Sequence, residues 1–400
     1  MNILFLNLIK FASFQERNIY TDLLRQFMKD GHNVCAVCPS ERRYGEKTNL
    51  RQFGSSAILT VKTFNIQKTN VIEKGIGMLA IKRQFVKAIK KYFKGIKFDL
   101  ILYPTPPITL YGVVKIFKKR DSAKTYLMLK DIFPQNAVDL NIIKRTGLKG
   151  FIYRYFRRQE KELYAVSDRI GCLSPANVEY LLKHNPEITK EKVEVFPNCL
   201  EIHDTSISVH EKRRIREKYS LPFDKKVFVY GGNLGKPQDI PFIIDCIKKE
   251  KDNKEAFFLV IGDGTEFSKL EQFAADFKQK NFMLVKRLPP SEFDKVVASC
   301  DVGLIFLDHR FTIPNYPSRL LSYMQARLPT LACTDVATDI GQAIIQGRFG
   351  WWCESNNSDN FKEIVDMVTN KDLIAFGEAA YRYLEDNFSC QKLYKKIIKN

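Results

Sequence analysis

The chain has 400 residues, of which 45% are hydrophobic and 12% aromatic, so it can form the cores of two globular domains. Residues 1–200 hold 35 basic against 17 acidic residues (+18), whereas residues 201–400 hold 29 against 28 (+1). This uneven charge predicts that the first half faces an anionic partner. No run approaches 18 apolar residues, so no membrane-spanning helix is predicted.

Predicted strands and helices alternate along the first half, which is typical of parallel sheets with right-handed crossovers. The predicted strands occupy residues 3–8, 33–37, 57–61, 98–103, 124–129, 169–173 and 193–196. The predicted helices occupy residues 18–29, 77–93, 108–118, 148–165 and 176–183. A polar stretch without a predicted strand follows at about 201–221 and is interpreted as a linker.

The second half repeats the alternation of strands and helices. Its predicted strands occupy residues 226–230, 257–261, 281–285, 302–307, 330–332 and 350–353. Its predicted helices occupy residues 240–249, 266–278, 291–299, 317–326, 361–368, 373–385 and 391–398. The sequence therefore predicts an α/β fold of two Rossmann-like, doubly wound domains that face a cleft. The predicted boundaries are 1–205 for the first domain, 206–222 for the linker and 223–385 for the second domain, with a C-terminal helix at about 386–400 packing back onto the first.

The nine cysteines are predicted to be free thiols, because they are odd in number and most lie in apolar patterns. Cys35 and Cys38 form a CxxC motif, but a strand would place them on opposite faces, which is a poor arrangement for shared metal ligation. The opening segment has no cationic leader, so no signal peptide is predicted. These features predict a cytoplasmic protein.

Two predicted strands of the second half end in glycine-containing turns that lead into helices. The first turn is Gly231-Gly232-Asn233-Leu234-Gly235, and the second is Gly262-Asp263-Gly264. In a parallel sheet, free N–H groups and helix dipoles gather where strand carboxyl ends meet helix amino ends. These turns therefore predict a nucleotide or phosphate site within residues 225–370.

The segment 310–324 is the most specific in the chain. It follows the strand 302–307, and Pro317 stands where a helix is predicted to begin. Ser318 and Arg319 would then lie in the exposed first turn, where N–H groups and a cation suit a diphosphate. An ordinary proline-started surface helix is the alternative interpretation of this segment alone.

Taken in order, these motifs resemble bacterial family-4 glycosyltransferases of the GT-B fold, and the resemblance covers nearly the whole chain. It rests on Gly31-His32, Asp131-Ile132-Phe133-Pro134-Gln135, Val195-Phe196-Pro197-Asn198, Ile261-Gly262-Asp263-Gly264, and Pro317 to Met324 followed by Leu328-Pro329. The capsule and O-antigen subgroup is the most similar. The resemblance implies a nucleotide-sugar donor bound by the second domain, a lipid-linked glycan acceptor bound by the first, and transfer in the cleft with retention of configuration.

The resemblance also implies roles for individual residues. Asp131 would orient or deprotonate the acceptor hydroxyl, with Lys130 beside it as a second candidate catalytic residue; a turn or capping aspartate is the alternative for Asp131. The implied donor-binding residues are Gly232, Asn233, Leu234, Lys236, Gln238, Asp263, Gly264, Arg310, Asn315, Pro317, Ser318, Arg319, Leu320 and Ser322. The implied acceptor-side residues are Phe14, Glu16, Arg17, Phe133 and Gln135.

This sequence departs from the family pattern at several positions. Two glutamates that family members often carry align with Pro314 and Ser322. The family's arginine and lysine after the first glycine turn align with Asn233 and Gln238, and the usual first-domain histidine aligns with Lys130. Cations elsewhere would then supply the missing charge, with Lys236, Arg319 and Arg310 as the candidates. Since Asp301 and Asp308 flank a predicted strand, too far apart to share an ion, neither a metal nor another cofactor is expected.

The basic first half predicts contact with an anionic membrane surface at the inner face of the cell membrane, and it contains two basic amphipathic segments. In residues 82–94 the apolar positions Phe85, Ile89 and Phe93 recur at helical spacing, and a core-facing stripe is the preferred interpretation. In residues 148–158 aromatic and arginine residues are mixed, which suits a membrane interface as well as a solvated surface.

Other functions stay open at the sequence level. An inactive paralogue, or a basic adaptor for membranes or nucleic acid, would fit the charge of the first half, although no nucleic acid is expected as partner. An epimerase would need clustered carboxylates and histidines, and the five histidines are scattered. A nicotinamide-dependent oxidoreductase would need glycines after the first strand, and residues 7–12 contain none.

Overall fold

The computed structural model describes residues 1–66, 71–277 and 280–399. The chain divides into two compact units, of which the first comprises Met1–Glu201 with Cys390–Asn400 and the second comprises Ile202–Ser389. Each unit is an α/β structure built around a mainly parallel sheet. No helix in the described ranges is long and apolar enough to cross a bilayer.

The first unit contains an eight-stranded sheet in the order β3-β4-β2-β1-β5-β6-β7-β8. Its strands are β1 (Asn2–Leu6), β2 (Asn33–Glu41), β3 (Asn49–Phe53), β4 (Ser56–Thr63), β5 (Leu100–Pro104), β6 (Lys124–Leu129), β7 (Arg169–Cys172) and β8 (Val193–Val195). Its helices are α1 (Ile19–Lys29), α2 (Val71–Tyr92), α3 (Tyr111–Asp121), α4 (Gln135–Asp139), α5 (Leu148–Val166), α6 (Pro175–His184) and the C-terminal α15 (Cys390–Lys399). All neighbouring strands pair in parallel except β3 and β4.

The second unit contains a six-stranded parallel sheet in the order β11-β10-β9-β12-β13-β14. Its strands are β9 (Lys226–Asn233), β10 (Ala256–Asp263), β11 (Phe282–Lys286), β12 (Val302–Phe306), β13 (Thr330–Thr334) and β14 (Gly350–Glu354). Its helices are α7 (Val209–Lys218), α8 (Ile240–Lys249), α9 (Phe267–Asp276), α10 (Pro290–Ser299), α11 (Arg319–Gln325), α12 (Ile340–Gln346), α13 (Ser358–Thr369) and α14 (Ile374–Asn387). The four inner strands, β10, β9, β12 and β13, are nearly continuous apolar runs buried on both faces, as is typical of parallel sheets.

The C-terminal helix α15 belongs to the core of the first unit. Its buried residues Leu393, Tyr394 and Ile397 join the same cluster as residues of α1. The Tyr394 ring meets the Phe27 ring edge to face, with 4.9 Å between centroids. The chain therefore returns to its first unit after completing the second, because α15 presents an apolar face that α1 covers.

Each predicted strand and helix corresponds to an observed element, although the predicted end of one helix at Lys278 lies outside the described residues. Elements missing from the prediction are β3, α4, α7 and α12. The helices α4 and α12 are too short to show a repeating apolar pattern. The strand β3 is a largely exposed edge strand that forms a hairpin with β4 around Gly54 (φ +62°).

The region 206–222, predicted as a linker, instead belongs to the second unit and contains α7. This helix is highly charged, so its sequence lacks an apolar stripe, yet Ile215 and Arg216 are buried. The Arg216 side chain donates to the carbonyl of Ser299 (Nε, 2.9 Å) and pairs with Asp301 (2.5 Å). A buried, paired arginine anchors this helix, and hydrophobic periodicity does not reveal such an anchor.

Candidate functional site

The two predicted glycine turns lie side by side at the carboxyl ends of β9 and β10. The N–H of Leu234 donates to the carbonyl of Asp263 (3.0 Å), and the N–H of Glu266 donates to the carbonyl of Leu234 (2.9 Å). A Cβ on Gly264 would lie 2.2 Å from the Leu234 carbonyl oxygen, so no larger residue fits there. The close approach explains why the second turn needs glycine.

Polar side chains of the first turn bond mainly to the turn itself. Asn233 Nδ2 donates to Gln238 Oε1 (2.8 Å), and the same oxygen accepts from the N–H of Gly235 (3.1 Å). The Tyr230 hydroxyl donates to the carbonyl of Asn233 (2.7 Å). The structure thus brings Asn233 and Gln238 together, as predicted for one site, and Gln238 is the buried member that shapes the turn.

Arg319, the first residue of α11, reaches this turn from 87 positions along the chain. Its guanidinium carbon lies 4.2 Å from the centroid of the Tyr230 ring. Gly232 has φ +137°, and a Cβ there would lie 3.1 Å from Arg319 Nη2. Arg319 Nη1 is buried and has no hydrogen-bond partner among the described residues. Such an orphan donor costs about 1–3 kcal/mol, which an anionic oxygen bound there would offset.

The start of α11 differs from the prediction. The helix begins at Arg319 rather than Pro317, because a tighter turn precedes it: the N–H groups of Leu320 and Leu321 donate to the carbonyls of Pro317 (3.2 Å) and Ser318 (3.1 Å). Two N–H groups expected for a diphosphate are therefore already engaged. The Leu320 side chain is buried in the core and is not available to a ligand. The positive charge at the start of α11 comes from Arg319.

The other predicted donor residues differ in exposure. Lys236, Asp263 and Ser318 are exposed beside the turns, and Ser322 is half-buried. Arg310 is not an unpaired cation: its Nε donates to the buried carboxylate of Asp308 (2.8 Å).

One potential metal-ligating group surrounds Asp308. Ligand atoms of Asp308, Asp239 and His309 lie within 4.8 Å of one another, a cluster that the sequence analysis did not foresee. The carboxylate of Asp308 also accepts hydrogen bonds from the backbone N–H (3.0 Å) and side chain of Arg310. The positive charge of Arg310 already balances that carboxylate, so the group is suited to an ion pair rather than to a strong cation site.

In the first unit, Thr105 holds the predicted catalytic pair. Its Oγ1 accepts from the N–H groups of Lys130 (2.9 Å) and Asp131 (3.1 Å) and donates to the carbonyl of Asp131 (3.0 Å). Asn136 Nδ2 donates to Asp131 Oδ1 (2.7 Å). Thr105 and Asn136 were not among the predicted site residues, and spacing along the chain gave no signal for either: Thr105 lies 26 positions before Asp131, and Asn136 lies in α4, which begins only after Asp131.

The two charged groups of this pair are perturbed in opposite directions. Burial raises the pKa of Asp131 to about 6, and burial lowers the pKa of Lys130 to about 8. Lys130 Nζ lies 5.2 Å from the centroid of the Phe196 ring and donates to the carbonyl of Pro197 (3.4 Å). The carboxyl group of Asp131 therefore titrates near the working range of a general base.

The five predicted acceptor-side residues are not equivalent. Phe14 is 1% exposed and packs against Phe53 in the core of the first unit, so its side chain is not at the surface where an acceptor contact would require it. Glu16 and Arg17 are exposed, and Glu16 caps its own loop by accepting from the N–H of Ser13 (3.2 Å).

Phe133 and Gln135 follow Asp131 and lie against the helices of the first unit. The Phe133 ring meets the Phe156 ring edge to face, 5.0 Å between centroids. Gln135 donates to Asp139 (2.6 Å) and accepts from Arg145 (2.5 Å). The side chain of Gln135 thus braces the segment that carries Asp131.

The two basic segments behave differently in the structure. Phe85 and Ile89 of α2 and Phe93 directly after it form a buried apolar stripe, so the core-facing interpretation is confirmed. In α5, by contrast, Phe151 is 66% exposed, and Ile152 and Tyr155 are also exposed. The guanidinium of Arg154 lies 4.5 Å from the Phe151 ring centroid.

A groove beside this aromatic face adds more positive charge. It encloses about 480 Å³ between α2, α3 and α5, and its lining includes Lys82, Lys115, Tyr155 and Arg158. Within the described residues the ion pair of Lys115 with Glu162 is long, at 3.9 Å. Exposed aromatic and aliphatic side chains next to several cations form an amphipathic surface.

The chain is a two-domain α/β protein built from two Rossmann-like units. In the second unit an arginine lies against a glycine turn. Residues 18–203 match the family model described as Glycosyltransferase Family 4, and residues 211–386 match Glycosyl transferases group 1. The chain therefore belongs to the glycosyltransferases that combine these two domains.

Curated relatives and solved structures agree with this assignment. The probable glycosyltransferase WbjE of Pseudomonas aeruginosa is 26% identical over 322 residues, which cover 78% of this chain and 76% of WbjE. Anabaena HepE, solved in complex with UDP, has a TM-score of 0.67 at 13% identity over 100% of this chain and 99% of HepE. WaaG, a glycosyltransferase involved in lipopolysaccharide biosynthesis, has a TM-score of 0.66 at 13% identity, covering 99% and 98%. The fold is thus GT-B, as predicted.

Proposed function

We propose that this protein transfers a sugar from a nucleotide-sugar donor to a lipid-linked glycan acceptor, with retention of configuration, in the synthesis of a cell-surface polysaccharide. The observation that carries the proposal is the buried, unpartnered Nη1 of Arg319 beside Gly232. A guanidinium fixed over an aromatic ring is well suited to the charge that develops on a departing diphosphate.

In this proposal the second unit binds the donor. The diphosphate lies against Arg319 and the turn that begins at Gly232, and Lys236 adds an exposed cation. Asp263, exposed at the end of β10, faces the ribose or base. Ser322 replaces a family carboxylate and offers one hydroxyl to the ribose. Arginine and lysine supply the positive charge here, so we propose that donor binding needs no divalent metal.

The donor site is tested first with nucleotides. Purified protein is heated with UDP, GDP, UDP-, GDP-, dTDP- and CMP-linked sugars, each in EDTA and again in Mg²⁺. A ligand present at 100 times its dissociation constant adds about 2.7 kcal/mol to the free energy of unfolding. We expect one nucleotide class to raise the melting temperature equally in EDTA and Mg²⁺. A folded protein that responds to none of them would refute the donor site, and a response in Mg²⁺ alone would refute metal independence.

The first unit is proposed to present the acceptor to Asp131. The carboxylate, held by Asn136 and with its pKa raised to about 6, orients or deprotonates the acceptor hydroxyl. Retention follows from the resemblance to family-4 enzymes, and NMR of the product's anomeric proton tests it.

The polysaccharide context is supported by the relatives. WcaI of Escherichia coli (strain K12), described as a putative colanic acid biosynthesis glycosyl transferase, is 21% identical over 248 residues, covering 61% of this chain and 59% of WcaI. This description supports a polysaccharide acceptor, and we propose one of the capsule or O-antigen type.

We also propose that the protein works at the inner face of the cell membrane. The exposed side chains of Phe151, Ile152 and Tyr155 would enter the interface, while Arg154 and Arg158 meet anionic headgroups. The first turns of α3 and α5 lie at the carboxyl edge of the sheet, the edge that also carries Asp131. A lipid-linked acceptor would then reach Asp131 from the membrane side.

Vesicle sedimentation tests this surface. Wild-type protein is expected to pellet with vesicles containing phosphatidylglycerol and much less with phosphatidylcholine alone. The double variant Phe151→Ser with Ile152→Ser should lower the partition coefficient about tenfold or more, because it removes two insertable apolar side chains. The matched control is Ile374→Ser, which changes a 73% exposed isoleucine of the second unit. Equal binding by the double variant and the control would exclude this face.

A further inference from the structure

A buried hydrogen-bond relay lies next to the proposed donor site, at the carboxyl end of β13. Asp335, the residue after the strand, is 1% exposed. Its Oδ1 accepts from the backbone N–H of Thr338 (2.9 Å), and its Oδ2 accepts from the Thr338 hydroxyl (3.0 Å). Both carboxylate oxygens of Asp335 therefore accept a hydrogen bond from Thr338.

The hydroxyl of Thr338 also forms a hydrogen bond with the segment before α11. Its oxygen accepts the backbone N–H of Asn315 (3.0 Å). A hydroxyl has a single hydrogen, and because that hydrogen points to Asp335, a lone pair remains directed at Asn315. The relay thus runs in one direction, from the Asn315 amide through Thr338 to the Asp335 carboxylate, and the negative charge strengthens both bonds.

The base of the relay is itself fixed to the sheet. Thr334 Oγ1 donates to the carbonyl of Asp335 (3.1 Å) and accepts from Trp352 Nε1 (2.9 Å). Two adjacent strands, β13 and β14, therefore hold the backbone of Asp335. Burial raises the pKa of this carboxyl to about 6, and the two Thr338 donors offset part of the cost of burying its charge.

The other end of the relay is the backbone of Asn315, which belongs to the segment directly before Arg319. The side chains of Phe311, Ile313 and Tyr316 are buried in the second unit, so the segment is already packed on its apolar side. Asn315 lies four residues before Arg319, and its backbone is the part that Thr338 holds.

We propose that Asp335 and Thr338 are positioning residues of the donor site, which hold the backbone of Asn315 and thereby set where Arg319 meets the Gly232 turn. The inference rests on the proposed function, since it assigns a role toward the donor. Neither residue needs to touch the nucleotide, and the sequence analysis singled out neither.

The test compares three variants of the full-length protein by hydrogen exchange of residues 311–321 and by affinity for UDP, which GDP replaces throughout if the nucleotide screen selects it. Thr338→Val keeps the shape and removes the hydroxyl, Thr338→Ser keeps the hydroxyl, and Asp335→Asn removes the charge. The matched control is Thr330→Val, because the buried hydroxyl of Thr330, also in β13, has no hydrogen-bond partner among the described residues.

We expect Thr338→Val to speed exchange of this segment about tenfold and to weaken UDP binding about fivefold, the effect of one lost hydrogen bond. Thr338→Ser should restore both values, Asp335→Asn should fall between, and Thr330→Val should match wild type. In turnover assays the donor KM rises while kcat stays within about twofold, because binding rather than the chemical step is disturbed.

Unchanged exchange in Thr338→Val and Asp335→Asn would overturn the inference, as would faster exchange with wild-type UDP affinity. If Thr338→Val fails to fold, Asp335→Asn and Thr338→Ser decide between the same outcomes. A wild-type protein that binds no nucleotide refutes the donor-site proposal separately, and the exchange data then report only whether the relay holds the segment.

Discussion

Arg319→Ala should weaken binding of the preferred nucleotide about 100-fold or more. The guanidinium supplies charge-assisted hydrogen bonds, each of which contributes about 1.5–3 kcal/mol when the partner is an anion, and tenfold in affinity corresponds to about 1.4 kcal/mol. The stability of the free protein should change little, because the lost contact with the Tyr230 ring is offset by removal of the Nη1 donor, which has no hydrogen-bond partner among the described residues. Isothermal titration with UDP or GDP, whichever the screen selects, gives the dissociation constant.

Two further variants separate charge from geometry at this position. Arg319→Lys keeps the charge but loses the planar fork that stacks on Tyr230, so we expect an intermediate loss of about tenfold. Arg382→Ala changes an exposed arginine of α14 and should bind as wild type does. If Arg319→Ala binds the nucleotide with wild-type affinity, the proposal that the diphosphate binds at this turn is wrong.

Asp131→Asn should lower kcat by about 10²- to 10⁴-fold while the donor affinity stays unchanged, because positioned general bases contribute on that scale. In the wild type, kcat should fall as the pH drops below about 6, where the raised pKa of Asp131 leaves its carboxyl protonated. The matched control is Asp139→Asn, which alters a carboxylate bonded to Gln135 in the same short helix. That control should keep kcat within about threefold.

The carboxyl group of Asp131 should also make the free energy of unfolding depend on pH. Its pKa in the folded protein is above its ordinary value of 3.8, so the folded state binds more protons between pH 4 and 6. The contribution of Asp131 to the free energy of unfolding therefore decreases as the pH rises through this range, and Asp131→Asn removes the dependence. Activity in Asp131→Asn equal to wild type would leave only the turn-forming role for this aspartate.

Removing the partner of the carboxylate provides a second check on this assignment. Asn136→Ala deletes the donor to Asp131 Oδ1, a hydrogen bond that lowers the pKa of the carboxyl. The acidic limb of the kcat profile should then move to higher pH. A limb that stays in place would mean that another group controls it.

Periodic patterns were sufficient to predict the two doubly wound units, because each strand and helix that packs a core carries its own apolar repeat. Two of the elements that escaped prediction lack such a repeat. The helix α7 has a run of charged residues, and its buried Arg216, paired with Asp301, anchors it. The exposed edge strand β3 likewise forms through backbone pairing with β4.

The residues proposed for the donor site were inferred partly from local motifs. The glycine turns and Arg319 are local motifs, so the sequence placed them at strand ends. The structure removed Arg310 from the set of unpaired cations by pairing it with Asp308, and it placed Phe14 in the core. Both corrections depend on what lies around a side chain, which spacing along the chain does not encode.

The sequence by itself determined the fold class, the order of elements and the residue types available for binding an anion, since these follow from local periodicity and turn chemistry. Only the tertiary structure decided which groups meet. It placed Arg319 over Tyr230 and joined Asp335 to Asn315 through Thr338. The reason is physical: hydrogen bonds and burial depend on distances between segments far apart in the chain, and these distances are fixed only when the sheets and helices pack.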